Sequence, residues 1–446
     1  MPHAAHVLVA SADDVDRGRL AVMLADSGYR VSAAASGATA LSLLGELNPD
    51  VVMLGASLPD ADFAALTHDV KAAAPAALRV VVVAPTLTDA ARQTCIAAGA
   101  DDIVEGAINP SVLLARLRPL CRLWTMRSEL QRRIETARRI GILAAEPALA
   151  AEEGKCRVMV VARPGGMTER VVRSALNGGY ALTVEGDPYR AGSAVENERY
   201  DAMVVAADGR RESAEPMLYL SSHLRNNPSL FNLPVMMLHS EGTFDDGGDP
   251  YRYGASMALG LPLEKAALAT GIDVLVRRQR HRWALRQAFD TVFQAVVPGG
   301  KDNVFPESFL TPHLDTLVHD AQRDGRHLSI AIFSLNNLSD VKRKFFSEAG
   351  DMLMGKMANW ITGLIRVEDM VARMGNDELC VVLPDTPQEE CTKMVHRIGA
   401  ILSTSEFNLT EEVMQPVRLW VDGGCASLAP GDTAESLLQR ARATLF

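Results

Sequence analysis

The chain has little of what marks secreted, membrane-spanning or nucleic-acid-binding proteins. Its 446 residues include only six cysteines, which lie far apart without a CxxC pair, so we expect reduced thiols and no metal site. No run of about 18 apolar residues occurs, and no basic segment precedes an apolar core at the start, so membrane insertion is not expected. The net charge of −10 argues against general nucleic-acid binding. We expect a cytoplasmic protein.

The first 120 residues alternate short apolar strands with helical stretches. HVLVA at 6–10 and LRVVVVA at 78–84 are continuous apolar runs, typical of a parallel sheet that is covered on both faces. The alternation returns in CRVMVVA at 156–162 and YDAMVVAA at 200–207. This recurrence predicts an internal duplication of one α/β unit.

Arginine-rich helical segments are predicted to connect the domains. The segment from Leu120 to Ile140 has an apolar residue every three or four positions and arginines on its other faces, so we interpret it as a packed stalk with a solvated basic face. The same stripe is our candidate surface for self-association. The predicted domains are a first α/β domain (1–120), a helical stalk (121–154), a second α/β domain (155–280), a helix and linker (281–304) and a last domain (305–446).

The duplicated unit resembles the receiver domain of two-component response regulators, over nearly all of 5–120 and more weakly over 155–280. The resemblance implies a flavodoxin-like, doubly wound parallel sheet and a Mg²⁺-dependent phosphoryl acceptor. The family's functional positions are all lost: its acidic pair falls on Ser11 and Ala12, its acceptor on Gly55 and, in the second unit, Ala206, its hydroxyl on Ala84 and its lysine on Gly106. Asp13 and Asp14 are interpreted as the acidic start of a helix. We expect neither unit to take a phosphoryl group, and both to dock protein partners.

Residues 305–446 resemble the GGDEF domain of diguanylate cyclases, an α/β fold of the nucleotidyl-cyclase type. HLSIAIFSLNNLSDV matches the first strand and its turn, EAGDMLMGKMANWI the next helix, and MVARMGNDELCVVLPDT the signature hairpin. Within the hairpin, Gly375 and Asn376 predict a two-residue turn. With two receiver-like domains in front, the chain resembles the two-receiver GGDEF regulators of the PleD type, and among them the catalytically degenerate, PopA-like members.

The resemblance implies that the machinery for joining two GTP molecules is incomplete. The metal-binding aspartates fall on Ser334 and Asn336, the guanine-reading pair on Lys342 and Arg343, and the second signature glycine on Asn376. The chain also ends at Phe446, before the phosphate-binding lysine of the family. Because metals must offset the phosphate charge, we expect no catalytic residues, no bound metal or cofactor and no enzymatic activity.

Arg366 and Asp369 form an RxxD motif just before the signature, at the place where the family has an inhibitory site for cyclic di-GMP. Arg397 matches a second arginine of that site. A carboxylate can accept hydrogen bonds from guanine N1–H and N2–H₂, and an arginine can pair with O6, N7 and phosphate. We predict that these residues bind cyclic di-GMP as a regulatory ligand. The alternative is a surface salt bridge between Arg366 and Asp369.

These patterns predict a cyclic di-GMP-binding effector or adaptor whose receiver-like domains recruit protein partners. The resemblance implies a homodimer, recruitment to the cell pole, and delivery of cell-cycle regulators to an energy-dependent protease. Two other hypotheses remain open. One is a diguanylate cyclase with unusual metal ligands, and the other is a ligand-independent scaffold.

Overall fold

The computed structural model describes residues 5–445, with gaps at 56–57, 59–61, 74–76, 107, 150–153, 177, 208, 210, 228, 263, 301–303, 346–347 and 409–415. The contacts divide the chain into two units. One contains residues 6–124 and 150–284, and the other contains residues 1–5, 125–149 and 285–446. None of the described helices is long and apolar enough to cross a membrane. All six cysteines are free.

The unit of residues 6–124 and 150–284 begins with a five-stranded parallel sheet. Its strands are β1 (His6–Ala10), β2 (Arg30–Ala34), β3 (Val51–Gly55), β4 (Arg79–Ala84) and β5 (Asp102–Glu105), in the order β2-β1-β3-β4-β5. The connecting helices are α1 (Asp14–Asp26), α2 (Gly37–Leu47), α3 (Phe63–Ala73), α4 (Asp89–Ala97) and α5 (Pro110–Arg139). β1 and β4 are buried along their whole length, as their continuous apolar runs predict for a sheet covered on both faces.

A second parallel sheet in the same unit repeats this strand order. Its elements are β6 (Cys156–Val161), α6 (Met167–Ala175), β7 (Tyr180–Glu185), α7 (Pro188–Asn197), β8 (Ala202–Ala207), α8 (Arg211–Asn226), β9 (Val235–His239), α9 (Asp249–Arg252), β10 (Met257–Gly260) and α10 (Lys265–Val296). The order β7-β6-β8-β9-β10 matches that of the first sheet, so the α/β architecture is duplicated. That this second sheet is a receiver domain stays a prediction.

A buried carboxylate joins helices of the two sheets. Asp102 at the start of β5 accepts hydrogen bonds from Arg116 Nε of α5 and from Arg278 Nη2 of α10, each at 3.0 Å. Burial raises the pKa of Asp102, but the two guanidinium groups lower this pKa by more than burial raises it. The pKa of Asp102 therefore lies below the ordinary value. The two sheets of this unit are therefore connected through a buried ionic cluster.

The other unit contains a mixed sheet with helices. Its elements are β11 (Val304–Phe305), α11 (Glu307–Asp324), β12 (Leu328–Leu335), α12 (Leu338–Lys344), α13 (Ala349–Leu364), β13 (Met370–Met374), β14 (Glu378–Pro384), α14 (Gln388–Thr404), β15 (Glu406–Phe407), β16 (Val417–Arg418), β17 (Val421–Ser427) and α15 (Ala434–Arg442). The main sheet has the order β11-β13-β14-β12-β17, and β12 is antiparallel to both of its neighbours. The carboxyl end of β12 therefore lies beside the amino ends of β14 and β17.

Two long helices run through the predicted domain boundaries. Position 120 lies within α5 and position 280 within α10, so the predicted stalk does not begin as a separate helix. The predicted self-association stripe is also buried within this single chain, because its members are at most 2% exposed up to Ala137: Leu120, Leu123, Met126, Leu130, Ile134 and Ala137. The prediction that this stripe is the surface for self-association was therefore wrong. Only Ile140 at its end is exposed.

Candidate functional site

The signature hairpin is present, with a longer turn than predicted. Met374 of β13 pairs with Glu378 of β14, which leaves the three residues 375–377 in the turn rather than two. Gly375 has φ +59°, a left-handed conformation that glycine adopts at little cost. Among the described non-glycine residues only Asn48 and Asp385 have a positive φ, so Asn376 does not share it. The prediction of a two-residue Gly-Asn turn was therefore wrong.

Carboxylates flank the position of the lost metal ligand. Ser334 near the end of β12 lies opposite Glu378 of β14 and opposite Asp422 of β17. Directly opposed residues of antiparallel strands share a face, with Cβ atoms about 5 Å apart. We call Glu378, Ser334 and Asp422 the acidic row. The exposed Asp377 precedes Glu378, and the Asp377 carbonyl accepts a hydrogen bond from the Leu335 backbone amide at 2.9 Å.

Sequence reasoning missed Asp422, because only the pairing of β12 with β17 brings it beside Ser334. Arg442 of α15 donates to Glu378 Oε2 at 2.8 Å, so a cation lies at the edge of the row. Among the described residues, no group of three or more His, Cys, Asp or Glu side chains could hold a metal ion on its own.

The other replaced positions lie just before α12, at Asn336, and in its last turn, at Lys342 and Arg343. Asn336 is exposed, and its backbone amide donates to the Trp420 carbonyl at 2.8 Å. The side-chain stem of Lys342 lies against Gly350 of α13, where a Cβ would collide with it, so this lysine fits because residue 350 has no side chain. Arg343 is exposed and pairs with Asp340 at 2.6 Å.

The RxxD motif forms a tight turn between α13 and β13. The Asp369 amide donates to the Arg366 carbonyl at 3.1 Å, and the Arg366 amide donates to Asp369 Oδ2 at 2.9 Å. Arg366 is exposed, but Asp369 is only 8% exposed. Asp369 is buried because its carboxylate caps the turn, where it accepts from the Arg366 backbone amide.

Arg397 lies beside the same turn. It is exposed on α14, and its Nη2 donates to the carbonyl of Leu364, the last residue of α13, at 3.2 Å. The structure thus brings Arg397 close to the segment that contains Arg366 and Asp369. Whether these three residues bind a ligand stays a prediction.

Arg133 was missed as a neighbour of this turn. The sequence places it among the solvated arginines of α5, but its side chain is buried and its Nη2 donates to the Glu368 carbonyl at 2.7 Å. The only signal in the sequence is Glu129 four residues earlier, a spacing that puts an acid and a base on one helix face.

The replaced receiver positions of the first sheet gather at the carboxyl ends of its strands. Gly55 lies so close to Ser11 that a Cβ on residue 55 would be 2.9 Å from the Ser11 Cβ. Gly106 donates from its amide to the Ala84 carbonyl at 3.1 Å. Ala12 follows β1, and Ala206 is buried in β8 of the second sheet. The interpretation of Asp13 as a helix start is confirmed, because its carboxylate accepts from the amides of Val15 and Asp16.

Comparisons with known proteins match both ends of the chain. The response regulator receiver domain matches residues 7–118, and the diguanylate cyclase GGDEF domain matches residues 304–446. The response regulator PleD of Caulobacter vibrioides is 26% identical over 448 residues, which covers 98% of this chain and 95% of that protein. The diguanylate cyclase DgcP of Pseudomonas aeruginosa is 25% identical over 137 residues, 31% of this chain and 20% of that protein.

Among solved structures, the GGDEF domain of DgcB from Caulobacter crescentus in complex with c-di-GMP is 18% identical. The alignment covers 32% of this chain and 80% of that one, with a TM-score of 0.30.

These matches correct the expectation that the chain is not an enzyme. That expectation is contradicted, because residues 304–446 match the GGDEF domain of diguanylate cyclases and the relatives include the diguanylate cyclase DgcP. The finer likeness to PopA-like members is not confirmed, and the dimer, the cell-pole recruitment and the protease role stay predictions. Over 98% of its length the chain is similar to the response regulator PleD, with a match to the receiver domain at 7–118 and a match to the GGDEF domain at 304–446.

Proposed function

We propose that this chain is a diguanylate cyclase that joins two GTP molecules into cyclic di-GMP. In this reaction the 3′-hydroxyl of each GTP attacks the α-phosphorus of the other, and two pyrophosphates leave. A divalent metal ion would offset the charge of the phosphates. The observation that carries the proposal is the acidic row in which Glu378 and Asp422 flank Ser334.

Two carboxylates are sufficient for this role when the substrate supplies the other ligands. Mg²⁺ keeps several waters and is usually held by one or two carboxylates together with substrate phosphate oxygens. Asp377 and Glu378 are adjacent at the hairpin, and Asp422 adds negative charge on the other side of β12. The uncharged Ser334 and Asn336 should therefore weaken metal binding and raise the metal concentration that the reaction needs.

The test is product formation by the purified full chain. We expect cyclic di-GMP from GTP with Mg²⁺ or Mn²⁺, detected by mass spectrometry, and a loss of at least about tenfold in Glu378→Gln, because one carboxylate of the row is removed. Glu389→Gln is the matched control, since Glu389 is exposed on α14 and pairs only with Lys393 among the described contacts. Absence of product with both metals would overturn the proposal.

We also propose that cyclic di-GMP binds at Arg366, Asp369 and Arg397. The exposed guanidinium groups of Arg366 and Arg397 can pair with guanine O6 and N7 or with phosphate, while the turn holds the Asp369 carboxylate in place. Two arginines and one carboxylate suit an anionic ligand with guanine edges.

The second parallel sheet, at 155–280, is proposed as a receiver-like docking module because it repeats the strand order of the first.

Calorimetric titration of the full chain with cyclic di-GMP tests the ligand site. We expect Arg366→Ala to lose about 2–4 kcal/mol of binding free energy, enough to abolish detectable binding of a micromolar ligand. Arg397→Ala should lose less, and GTP should not compete. Arg418→Ala is the control, because Arg418 is also an exposed arginine and pairs with Glu406. Equal affinity of Arg366→Ala and the parent would refute the assignment.

A further inference from the structure

Arg133 approaches the ligand turn from inside the protein. Its Nη2 donates to the Glu368 carbonyl at 2.7 Å, and Glu368 lies between the two residues of the RxxD motif. That carbonyl belongs to the same peptide group as the Asp369 amide, which donates to the Arg366 carbonyl at 3.1 Å. Both polar ends of one peptide are therefore held, so its orientation is determined by Arg133 and by Arg366.

Arg133 is itself held by buried partners. Its Nε donates to Glu129 Oε1 at 2.9 Å, and the same oxygen lies 2.9 Å from His313 Nε2. The guanidinium lies over the ring of Phe289, 4.7 Å from its centroid, and 5.6 Å from that of Phe305. A buried charge with a paired carboxylate and stacked rings has little freedom to move.

The chemistry of this contact requires an arginine. A guanidinium presents donors in several fixed in-plane directions, so it can bond Glu129 and the Glu368 carbonyl at once, whereas an ammonium is a compact charge on a flexible stem. The bond to the carbonyl is charge-assisted and lies in a low-dielectric interior, where such bonds are stronger than at the surface. The Glu368–Asp369 peptide is thus anchored by a residue outside the GGDEF match of 304–446.

We propose that Arg133 is a positioning residue for the cyclic di-GMP site, acting through the Glu368–Asp369 peptide on the Asp369 carboxylate and on Arg366. This inference rests on the proposed ligand site. It implies that affinity for cyclic di-GMP depends on α5, a helix that the GGDEF match does not include.

The experiment compares two full-length variants with the parent by calorimetric titration with cyclic di-GMP. We expect Arg133→Met to raise Kd at least about tenfold, which corresponds to the loss of one charge-assisted hydrogen bond. Arg132→Met is the matched control, because Arg132 lies on the same helix and pairs with Asp320 of α11 at 2.9 Å, and its described contacts include none with the turn. Thermal unfolding of each variant shows that the titrations are made on folded protein.

A second measurement does not depend on the ligand. The Asp369 amide should exchange its hydrogen faster in Arg133→Met than in Arg132→Met, because the peptide has lost its anchor. If Arg133→Met does not fold, Arg133→Lys replaces it, with a rise in Kd of at least about threefold, since a single nitrogen on a flexible stem does not reproduce the two separated, in-plane bonds that Nε and Nη2 make.

The outcomes separate the two proposals. Loss of binding in Arg366→Ala together with parental Kd and parental Asp369 exchange in the Arg133 variant would overturn the positioning role alone. Failure of the parent itself to bind cyclic di-GMP would overturn the ligand site, and the positioning role with it.

Discussion

Ser334 lies between two carboxylates and carries no charge itself. Its neighbours across the sheet are Glu378, which pairs with Arg442, and Asp422, so carboxylates lie on both sides of residue 334 even without an aspartate there. Oxygen ligands and negative charge are what Mg²⁺ requires, and their number determines its affinity. One residue is therefore expected to change the metal requirement without changing the fold.

Ser334→Asp should lower the Mg²⁺ concentration for half-maximal cyclic di-GMP synthesis at least about threefold, because a third carboxylate joins the row. The measurement is a Mg²⁺ titration of product formation at constant GTP, beside a calorimetric titration of GTP at each metal concentration. Ser334→Asn is the uncharged control of similar size. An unchanged metal requirement in Ser334→Asp would contradict the importance of the acidic row.

At the scale of elements, the carboxyl ends of β1 and β3 are too close for a phosphoryl-acceptor side chain. Gly55 ends β3, and a Cβ there would lie 2.9 Å from Ser11 Cβ and 3.2 Å from the Ala10 carbonyl. Parallel strands of this register leave no space for the added atoms unless the backbone moves. At position 55 the residue type lacks a carboxylate, and the strand packing also leaves no room for one.

Gly55→Asp should lower the free energy of unfolding by about 1–3 kcal/mol through overpacking. It should also gain no phosphoryl group from acetyl phosphate and Mg²⁺, because Ser11 and Ala12 provide no metal-binding carboxylate. Chemical denaturation and intact-mass spectrometry check the two parts. Gly45→Asp on α2 is the control, since a Cβ at residue 45 has open space. A phosphorylated Gly55→Asp protein would refute this account of the site.

At the scale of the whole molecule, buried carboxylates in both units make stability depend on pH. Burial raises the pKa of Asp102, Glu129 and Asp385, but neighbouring basic groups lower each pKa by more than burial raises it, so all three pKa values lie below the ordinary ones. The side chains that lower these pKa values most are Arg116 for Asp102, His313 for Glu129 and Arg326 for Asp385. Groups with a lowered folded-state pKa stabilise the protein above their unfolded pKa, and this contribution disappears as pH falls through the folded value.

The free energy of unfolding should therefore be steady near neutral pH and fall steeply below about pH 4. Asp102→Asn should cost about 3–5 kcal/mol at pH 7, because it leaves the charges of Arg116 and Arg278 buried without a counter-ion, and it should flatten the acid dependence. Asp89→Asn, at an exposed pair with Arg92, should cost no more than about 1 kcal/mol. Denaturant titrations between pH 3 and 7 provide the comparison. An Asp102→Asn protein with the parental pH profile would disprove the role of this cluster.

Much of the secondary structure follows from the sequence itself. The strand HVLVA at 6–10 and the strands MVARM and ELCVVLP of the signature hairpin have the bounds that their apolar patterns predict. Alternation and continuous apolar runs are local properties, so they are visible without the fold. The hairpin turn was predicted with one residue too few, because turn length depends on the pairing of Met374 with Glu378.

The order of the α/β elements and the positions where the receiver and GGDEF residues are replaced can be read from the amino-acid sequence alone. Which residues surround those positions depends on how the elements pack. Asp422 lies opposite Ser334 because of the register between β12 and β17. The Asp369 carboxylate accepts from the Arg366 backbone amide, and Arg133 donates to the Glu368 carbonyl, 235 positions away in the sequence. Periodicity reports which face of an element is buried, but it contains no information about which distant side chain covers that face, since this depends on how the elements pack.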